Sequence, residues 1–522
     1  MTAEETQVAE VVVVPQEEAE KVVCENEKVV EGDDKVKEVD EAESKPKAVE
    51  KSSSYKEESN YLSDLKEFEK KALSELKSKL EEAILGNIIF KEKEPKKEEE
   101  KKEEKKVAEE EKKEDTAEEG EKTEEAVKTE EEEKNEEKPE EECEKKTEEV
   151  AEENEKMAEE GEEAKKPEDG CEVVDKDISL WGVPLFPSKG FEGTDVVLLK
   201  FLRAREFKVN EAFEMLKKTL QWRKESKIDS ILDEDVCADL SSAAYLNGVD
   251  REGHPVCYNI FGVFDNEELY QKTFGNEEKR GQFLRWRLQL MEKSVQKLDL
   301  RPGGVTSLLQ INDLKNSPGP VKKELRIATK QAVGLLQDNY PELVAKNIFI
   351  NVPFWYYALN ALLSPFLTQR TKSKFVVARP AKVTETLLKY IPAQEIPAQY
   401  GGFKRDNDKE FSAEDGAVSE LILRAGSTGT IQIDVAEVGS TLVWDLTVLG
   451  WEVNYKEEFV PTDEGSYTII VQKKKKMGSN EGPIRNTFRS NEPGKVVLTI
   501  ENNSSKKKRV LYRYKANKCS TF

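Results

Sequence analysis

The chain is 522 residues long and carries 108 acidic against 83 basic side chains, a net charge of −25, with one histidine and six cysteines. That length leaves room for about three domains. A single histidine and the lack of any C-x-x-C pair argue against a zinc site, and cysteines scattered at 24, 143, 171, 237, 257 and 519 suit a reducing compartment better than a disulfide framework.

The charge is unevenly placed. Residues 1–170 hold 62 acids and 32 bases, a net of −30, while the remainder holds 46 acids and 51 bases, a net of +5. The acidity therefore belongs to a tail, and the rest is mildly basic. Runs such as "EEEKNEEKPEEE" cannot bury enough apolar surface to offset chain entropy, so 91–170 is expected to be disordered or transiently helical. "VAEVVVVPQ" near the start is too short and too acid-flanked for a signal peptide. Within the tail, Leu62, Leu65, Phe68, Leu73, Leu76 and Leu80 recur at mostly helical spacing. An amphipathic helix over 60–90 follows, either docking onto a partner or membrane or folding back on the body.

From Trp181 the composition becomes globular. "TDVVLLKFLRAREF" reads as a helix capped by Thr194, and a second begins near Asn210 and buries Phe213, Leu216 and Leu220. Together they predict a small helical layer over 181–230. Strand-like and helical runs then alternate from "PVCYNIFG" (255–262) to "TETLLKYI" (384–391). Strict alternation predicts an α/β domain with a parallel-rich sheet over 245–403. Its most apolar stretch, 347–367, is interrupted by Pro353, Pro365 and three asparagines, a poor spanning helix, so a soluble or peripheral protein is expected. Over 412–518, six short runs of period-two character, from "GTIQIDV" to "RVLYRY", predict an all-β sandwich, with "ENNSSK" as a hairpin turn.

Catalytic signatures are missing. Neither a G-x-G-x-x-G nor a G-x-x-x-x-G-K-[ST] phosphate loop occurs, nor a G-x-S-x-G elbow. A histidine-dependent triad would have to use His254, which sits in the turn "DREGHPV". These absences lean towards binding over catalysis. No enzymatic activity, metal or cofactor is expected, and no nucleic-acid partner.

The segment "DVVLLKFLRAREFKVNEAFEMLKKTLQWR" (195–223) resembles the helical entry of CRAL-TRIO lipid-binding proteins. "GVDREGHPV", "QDNYPE", "NIFINVPFWYYALNALLSPFLTQRTKSK" and "LLKYIPAQEIPAQYGG" extend that resemblance through the sheet domain. "TLVWDLTVLGWEVNY" and "PIRNTFRSNEPGKVVLTIENNSS" look like a GOLD domain. An acidic tail, a CRAL-TRIO unit and a GOLD sandwich in that order resemble the plant patellin family. The resemblance implies phospholipid or phosphoinositide binding and transfer at a membrane surface, in membrane trafficking and cell-plate formation during cytokinesis. It places the protein in the cytoplasm and peripherally on the cell plate or plasma membrane. The second reading is a lipid-regulated adaptor that recruits protein partners through its GOLD domain and tail without net transfer.

The resemblance also implies residues. In phosphatidylinositol-transfer members the headgroup is held by the second arginine of Leu-Arg-Ala-Arg, the glutamate of Tyr-Pro-Glu and a Thr-x-x-Lys, which here are Arg205, Glu342, Thr371 and Lys374. Glu206 departs from the lysine frequent at that position. Arg203 and Arg205 lie roughly 200° apart around a helix, so they cannot share one task; Arg203 is expected to brace the helical layer. Phe354, Trp355, Tyr356 and Tyr357 fall on the segment resembling the family's mobile gate. In the β domain Lys473, Lys474, Lys475 and Lys476, with Lys506, Lys507, Lys508 and Arg509, form two basic blocks suited to an anionic membrane. The acidic tail is a natural competitor for those blocks.

Overall fold

The computed structural model describes residues 55–90, 177–236, 240–318, 322–353, 356, 369–412, 415, 418–478 and 481–517, together with the backbone of 11–14. Contacts divide the chain into two units, 1–82 with 177–522, and 83–176. Of the second unit only 83–90 is described: the end of a helix closed by a turn in which Asn87 N–H donates to the Ile84 carbonyl.

In the first unit, α1 (Glu67–Leu85) buries Leu73, Leu76 and Leu80 and leaves Phe68 exposed. Of the two placements expected for this helix, folding back on the body is the one found. Lys77 pairs with Asp195 at 2.7 Å, Phe68 packs edge-on against Phe207 and Lys79 lies over the Phe213 ring.

A short antiparallel ribbon, β2 (Ser179–Leu180) with β3 (Val183–Pro184), leads into the helical layer of α2 (Glu192–Ala204) and α3 (Val209–Glu225). Thr194 does not cap α2. The helix begins two residues earlier, and the Thr194 hydroxyl donates to the Pro184 carbonyl. Asn210 likewise lies one residue inside α3. Bracing against the α/β core comes from Arg223, which is buried and bonds Glu292 and Asp229 at 2.6 Å each. Tyr340 donates to the same Glu292.

The α/β sheet has the order β4 (Ala244–Val249), β5 (Pro255–Ile260), β6 (Leu308–Asp313), β7 (Val344–Ile350), β8 (Phe375–Val377). Only the β4–β5 pair is antiparallel. Between these strands run α4 (Glu267–Phe274), α5 (Glu277–Val295), α6 (Lys323–Asn339), α7 (Gln369–Ser373) and, after β8, α8 (Val383–Tyr390). Strands buried on both faces carry near-continuous apolar runs, and the two faces differ. Val256, Tyr258, Leu309, Ile311, Ile348 and Ile350 pack under α8. On the opposite face Cys257 and Leu308 meet Leu288, Met291 and Val295 of α5, but Asn259 and Asn312 are also there. These asparagines bond each other at 3.1 Å, and Arg287 donates to Asn259 at 2.8 Å. The side of the sheet towards α5 is therefore part polar.

The β domain is two antiparallel sheets: β14 (Ile484–Arg489), β11 (Thr441–Leu449), β16 (Lys508–Asn517), β9 (Ser419–Leu423), and β1 (Val11–Val14), β10 (Thr428–Val435), β15 (Gly494–Glu501), β12 (Val453–Pro461), β13 (Ile469–Met477). Trp444, Tyr455, Phe459 and Leu498 fill the space between them. Because β15 and β16 lie in different sheets, "ENNSSK" is an arch between sheets and not a hairpin turn. The fully buried Asn502 holds it by donating to the carbonyls of Arg424 and Lys506. Asp445, also fully buried, joins the domains. It accepts from Arg405, Arg485 and Arg513, while Arg513 also donates to the Phe403 carbonyl.

Candidate functional site

The buried apolar run of α2 is broken by two cations on one face, Lys200 and Arg203, three residues apart. Both turn towards the loop before β6 and the turn between α6 and β7. Lys200 Nζ donates to the Glu342 carbonyl at 2.9 Å and to Thr306 at 3.3 Å. Glu342 has a φ of +54°, a left-handed conformation uncommon outside glycine. Its carboxylate is gripped from the other side: Arg370 forks it at 2.7 and 3.0 Å, and Lys374 reaches it at 2.7 Å while also donating to the Val344 carbonyl.

A segment of the tail completes the site. Residues 55–61 cross its mouth as a strap. Glu58 takes Arg370 bidentately at 2.7 and 2.6 Å. Arg203 donates to the Asn60 side chain and the Ser59 carbonyl at 2.6 Å each, and lies 3.5 Å from Glu58. The Tyr55 ring sits over Lys374 and Arg370, at 4.8 and 5.4 Å. Deeper in, Glu57 accepts from His254 Nε2 at 2.8 Å and from Ser307, and His254 Nδ1 donates to Asp250 at 2.8 Å. A cavity of about 170 Å³ remains between strap and wall, lined by Lys200, Arg203, Thr306, Gly303, Glu342 and Arg370.

Electrostatics follow from this crowding. Burial would raise the Glu57 carboxyl, but hydrogen bonds from His254 and Ser307 hold it at about 2. Burial is likewise overcome at Glu342, held at about 2 by Arg370 and Lys374. His254 would be lowered by burial, yet its bonds to Asp250 and Glu57 raise it to about 9. Lys200 goes the other way: burial brings it down to about 7, against Glu57 and Glu342. Burial lowers Arg203 too, with Glu58 opposing.

Of the residues expected at a headgroup, Glu342 and Lys374 are brought together. Arg205 caps the C-terminus of α2, half-buried and outside the cavity lining, whereas Arg203 enters it. The Thr371 backbone lies in α7, but its side chain falls outside the described residues, as do Phe354, Trp355 and Tyr357. Tyr356 packs on Phe349 at 5.3 Å. Lys200, Arg370 and the strap were not singled out in the sequence, and His254 was weighed there only as a triad histidine. A lysine inside "VVLLKFL" was a usable signal for the first. Nothing in the acidic tail marked Glu57 or Glu58.

The basic blocks are partly committed. On β13, exposed along Lys473–Lys476, Lys474 pairs with Glu501 and Lys475 with Glu481. Lys506 and Lys507 are exposed, Lys508 is buried against the Gly450 carbonyl, and Arg509 forks Glu420.

Comparison with known proteins agrees with this architecture. Residues 72–218 match the model of the CRAL/TRIO N-terminal domain, 240–402 the CRAL/TRIO domain, and 424–508 the Patellin-1-like C-terminal GOLD domain. Patellin-4 of Arabidopsis thaliana is 61% identical over 96% of this chain and 95% of its own length. Patellin-3 of the same plant is 52% identical over 65% of this chain and 69% of its own. Phosphatidylinositol transfer protein SFH5 of Scheffersomyces stipitis is 32% identical over 41% of this chain and 69% of its own length. The crystal structure of Sfh5 aligns with a TM-score of 0.35 at 26% identity, covering 40% of this chain and 74% of that one. On its three domain matches and on Patellin-4, this chain belongs to the patellin family.

Proposed function

We propose that this protein is a peripheral carrier that binds and transfers a phospholipid, with phosphoinositides as its favoured cargo, in membrane trafficking and in cell-plate formation during plant cytokinesis. The observation that carries the reading is one pocket lined by Arg370, Arg203, Lys200 and Glu342, whose carboxylate Lys374 also holds. Guanidinium and ammonium groups suit phosphate, and Glu342 suits inositol hydroxyls. The relative named as a phosphatidylinositol transfer protein supports the same ligand class. The geometry favours Arg203 for the part expected of Arg205; the resemblance alone assigns Thr371 to the headgroup and the aromatics at 354–357 to the gate.

A carrier must enclose acyl chains, because each methylene left in water costs about 0.8 kcal/mol. It need not span a bilayer, and among the described residues no helix is long and apolar enough to do so. Catalysis by His254 is disfavoured, since both of its ring nitrogens face carboxylates and leave no lone pair for a base.

Transfer of labelled phosphatidylinositol between liposomes tests the proposal, with native mass spectrometry identifying the lipid that co-purifies. An adaptor, a reading that draws on the fastening of the β domain through Asp445, would bind lipid without moving it. No transfer above the protein-free rate overturns the carrier reading.

A further inference from the structure

Among the described residues, every hydrogen-bond and ion-pair partner of the Arg203 side chain belongs to the strap: Ser59, Asn60 and Glu58. With the strap in place Arg203 is 8% exposed, so a guest that displaces the strap must give the guanidinium new acceptors. The same removal leaves Lys200, Arg203, Arg370 and Lys374 around a single carboxylate, Glu342, which Arg370 and Lys374 already share. A wall that presents Lys200, Arg203 and Arg370 against one carboxylate, Glu342, with Lys374 behind it, and whose strap reaches it from 312 residues away in sequence, suits a guest with more than one negative charge. The bidentate grip of Arg370 on Glu58 is the grip arginine uses on phosphate oxygens. Tyr55 covers two of these cations with its ring.

We infer that the strap is an internal occupant of this headgroup pocket, in which Glu58, anchored through Glu57, stands in for a phosphate of the guest and must be displaced before the guest binds. The inference rests on the headgroup reading above and sharpens it. A phosphomonoester brings two charges and replaces the strap, whereas a zwitterionic headgroup lacks the charge to do so.

Three arms on the full-length chain test this. Amide hydrogen exchange of 55–61 is followed with phosphatidylcholine vesicles, with the same vesicles doped with phosphatidylinositol monophosphate, and with free inositol bisphosphate. Exchange accelerates with the doped vesicles and the free headgroup, and stays slow with phosphatidylcholine alone. Glu58→Gln then raises affinity for the doped vesicles about tenfold, and Arg203→Gln lowers it. Strap protection unchanged while doped lipid is bound overturns the inference and leaves the carrier reading standing. Displacement by free headgroup without any lipid uptake does the reverse: the inference stands and the carrier reading falls. A strap that neither ligand moves, in a protein that takes up no lipid, sinks both.

Discussion

Two of the arginine–carboxylate clusters among the described residues are closed in different ways. Around Asp445 the members come from β11, β14, β16 and the link at 405–411: Arg485 and Arg513 both reach Asp445 and Asp408, and the Phe411 ring lies under both guanidiniums. Around Arg203 the acceptors come from a stretch of tail, and a cavity of about 170 Å³ is left over. A buried network whose members sit on elements that fold together holds architecture. One finished by a separable segment, with room to spare, can open and admit a guest. Charge content alone does not distinguish the two; the origin of the last partner does.

The sharpest way to break this contrast is at Asp445. Asp445→Ala leaves three arginines facing a buried vacancy and is expected to cost about 3–5 kcal/mol, seen as a lowered midpoint in chemical denaturation. Should the variant keep its stability and lose lipid transfer, the Asp445 cluster would be a site after all.

The next effect tests the strap through pH. The folded pKa of His254 is raised to about 9 from an ordinary 6.5 by Asp250 and Glu57, with Glu252 at 4.0 Å. A raised pKa gives stability that is full below the unfolded value and is lost as pH climbs through the folded one. Lys200, lowered to about 7, has the opposite sign: burying its charge is a penalty that fades as pH rises above 7. His254→Gln isolates the first group. It is expected to cost roughly 2 kcal/mol at neutral pH, less than the full shift because the group is partly screened, and the gap to wild type should close by about pH 10. A gap constant with pH would remove His254 as the anchor of Glu57.

Arg203→Ala is a smaller change in stability, about 1 kcal/mol, because Glu58 keeps Arg370. Its effect on phosphatidylinositol transfer should be larger, a fall of about tenfold, whereas Arg205→Ala should leave the transfer rate within about twofold of wild type, a few tenths of a kcal/mol. Equal losses in the two variants would return Arg205 to the headgroup.

How legible all this was in the sequence depended on the range of each interaction. The alternation that marks β5 to α8, and the period-two runs of β10, β11 and β16, arise from which face each residue buries, a local property written residue by residue. β9 and β14 were missed because "SELIL" and "IRNTFR" are short and half exposed. The arch at 502–507 was misread because turn residues report a reversal but not which sheet receives the next strand. Glu342 and Lys374 came from motif resemblance. The choice of Arg203 over Arg205 turned on where α2 ends: Arg205 falls at the cap, and Glu206 and Phe207 then take left-handed backbone. The strap was illegible for a plainer reason. Glu57 and Glu58 are two glutamates among many, and their partners lie 145 to 312 residues away.

A third kind of charge sits on the edge strand β13 and sets the lower limit of the comparison. Lys473 and Lys476 are exposed and have no carboxylate partner among the described residues, while Lys474 and Lys475 spend part of their charge on Glu501 and Glu481. Exposed pairs of that kind are worth about 0–1 kcal/mol, so single alanine changes should barely move the denaturation midpoint. On an anionic membrane each free cation adds at most about 1 kcal/mol, and less with salt. The double change Lys473→Ala with Lys476→Ala should therefore weaken cosedimentation with anionic vesicles at low ionic strength and have no effect at high. If binding is unchanged at both, these lysines serve to keep the open edge of β13 from pairing with another sheet. Increased aggregation of the double variant would then be their signature.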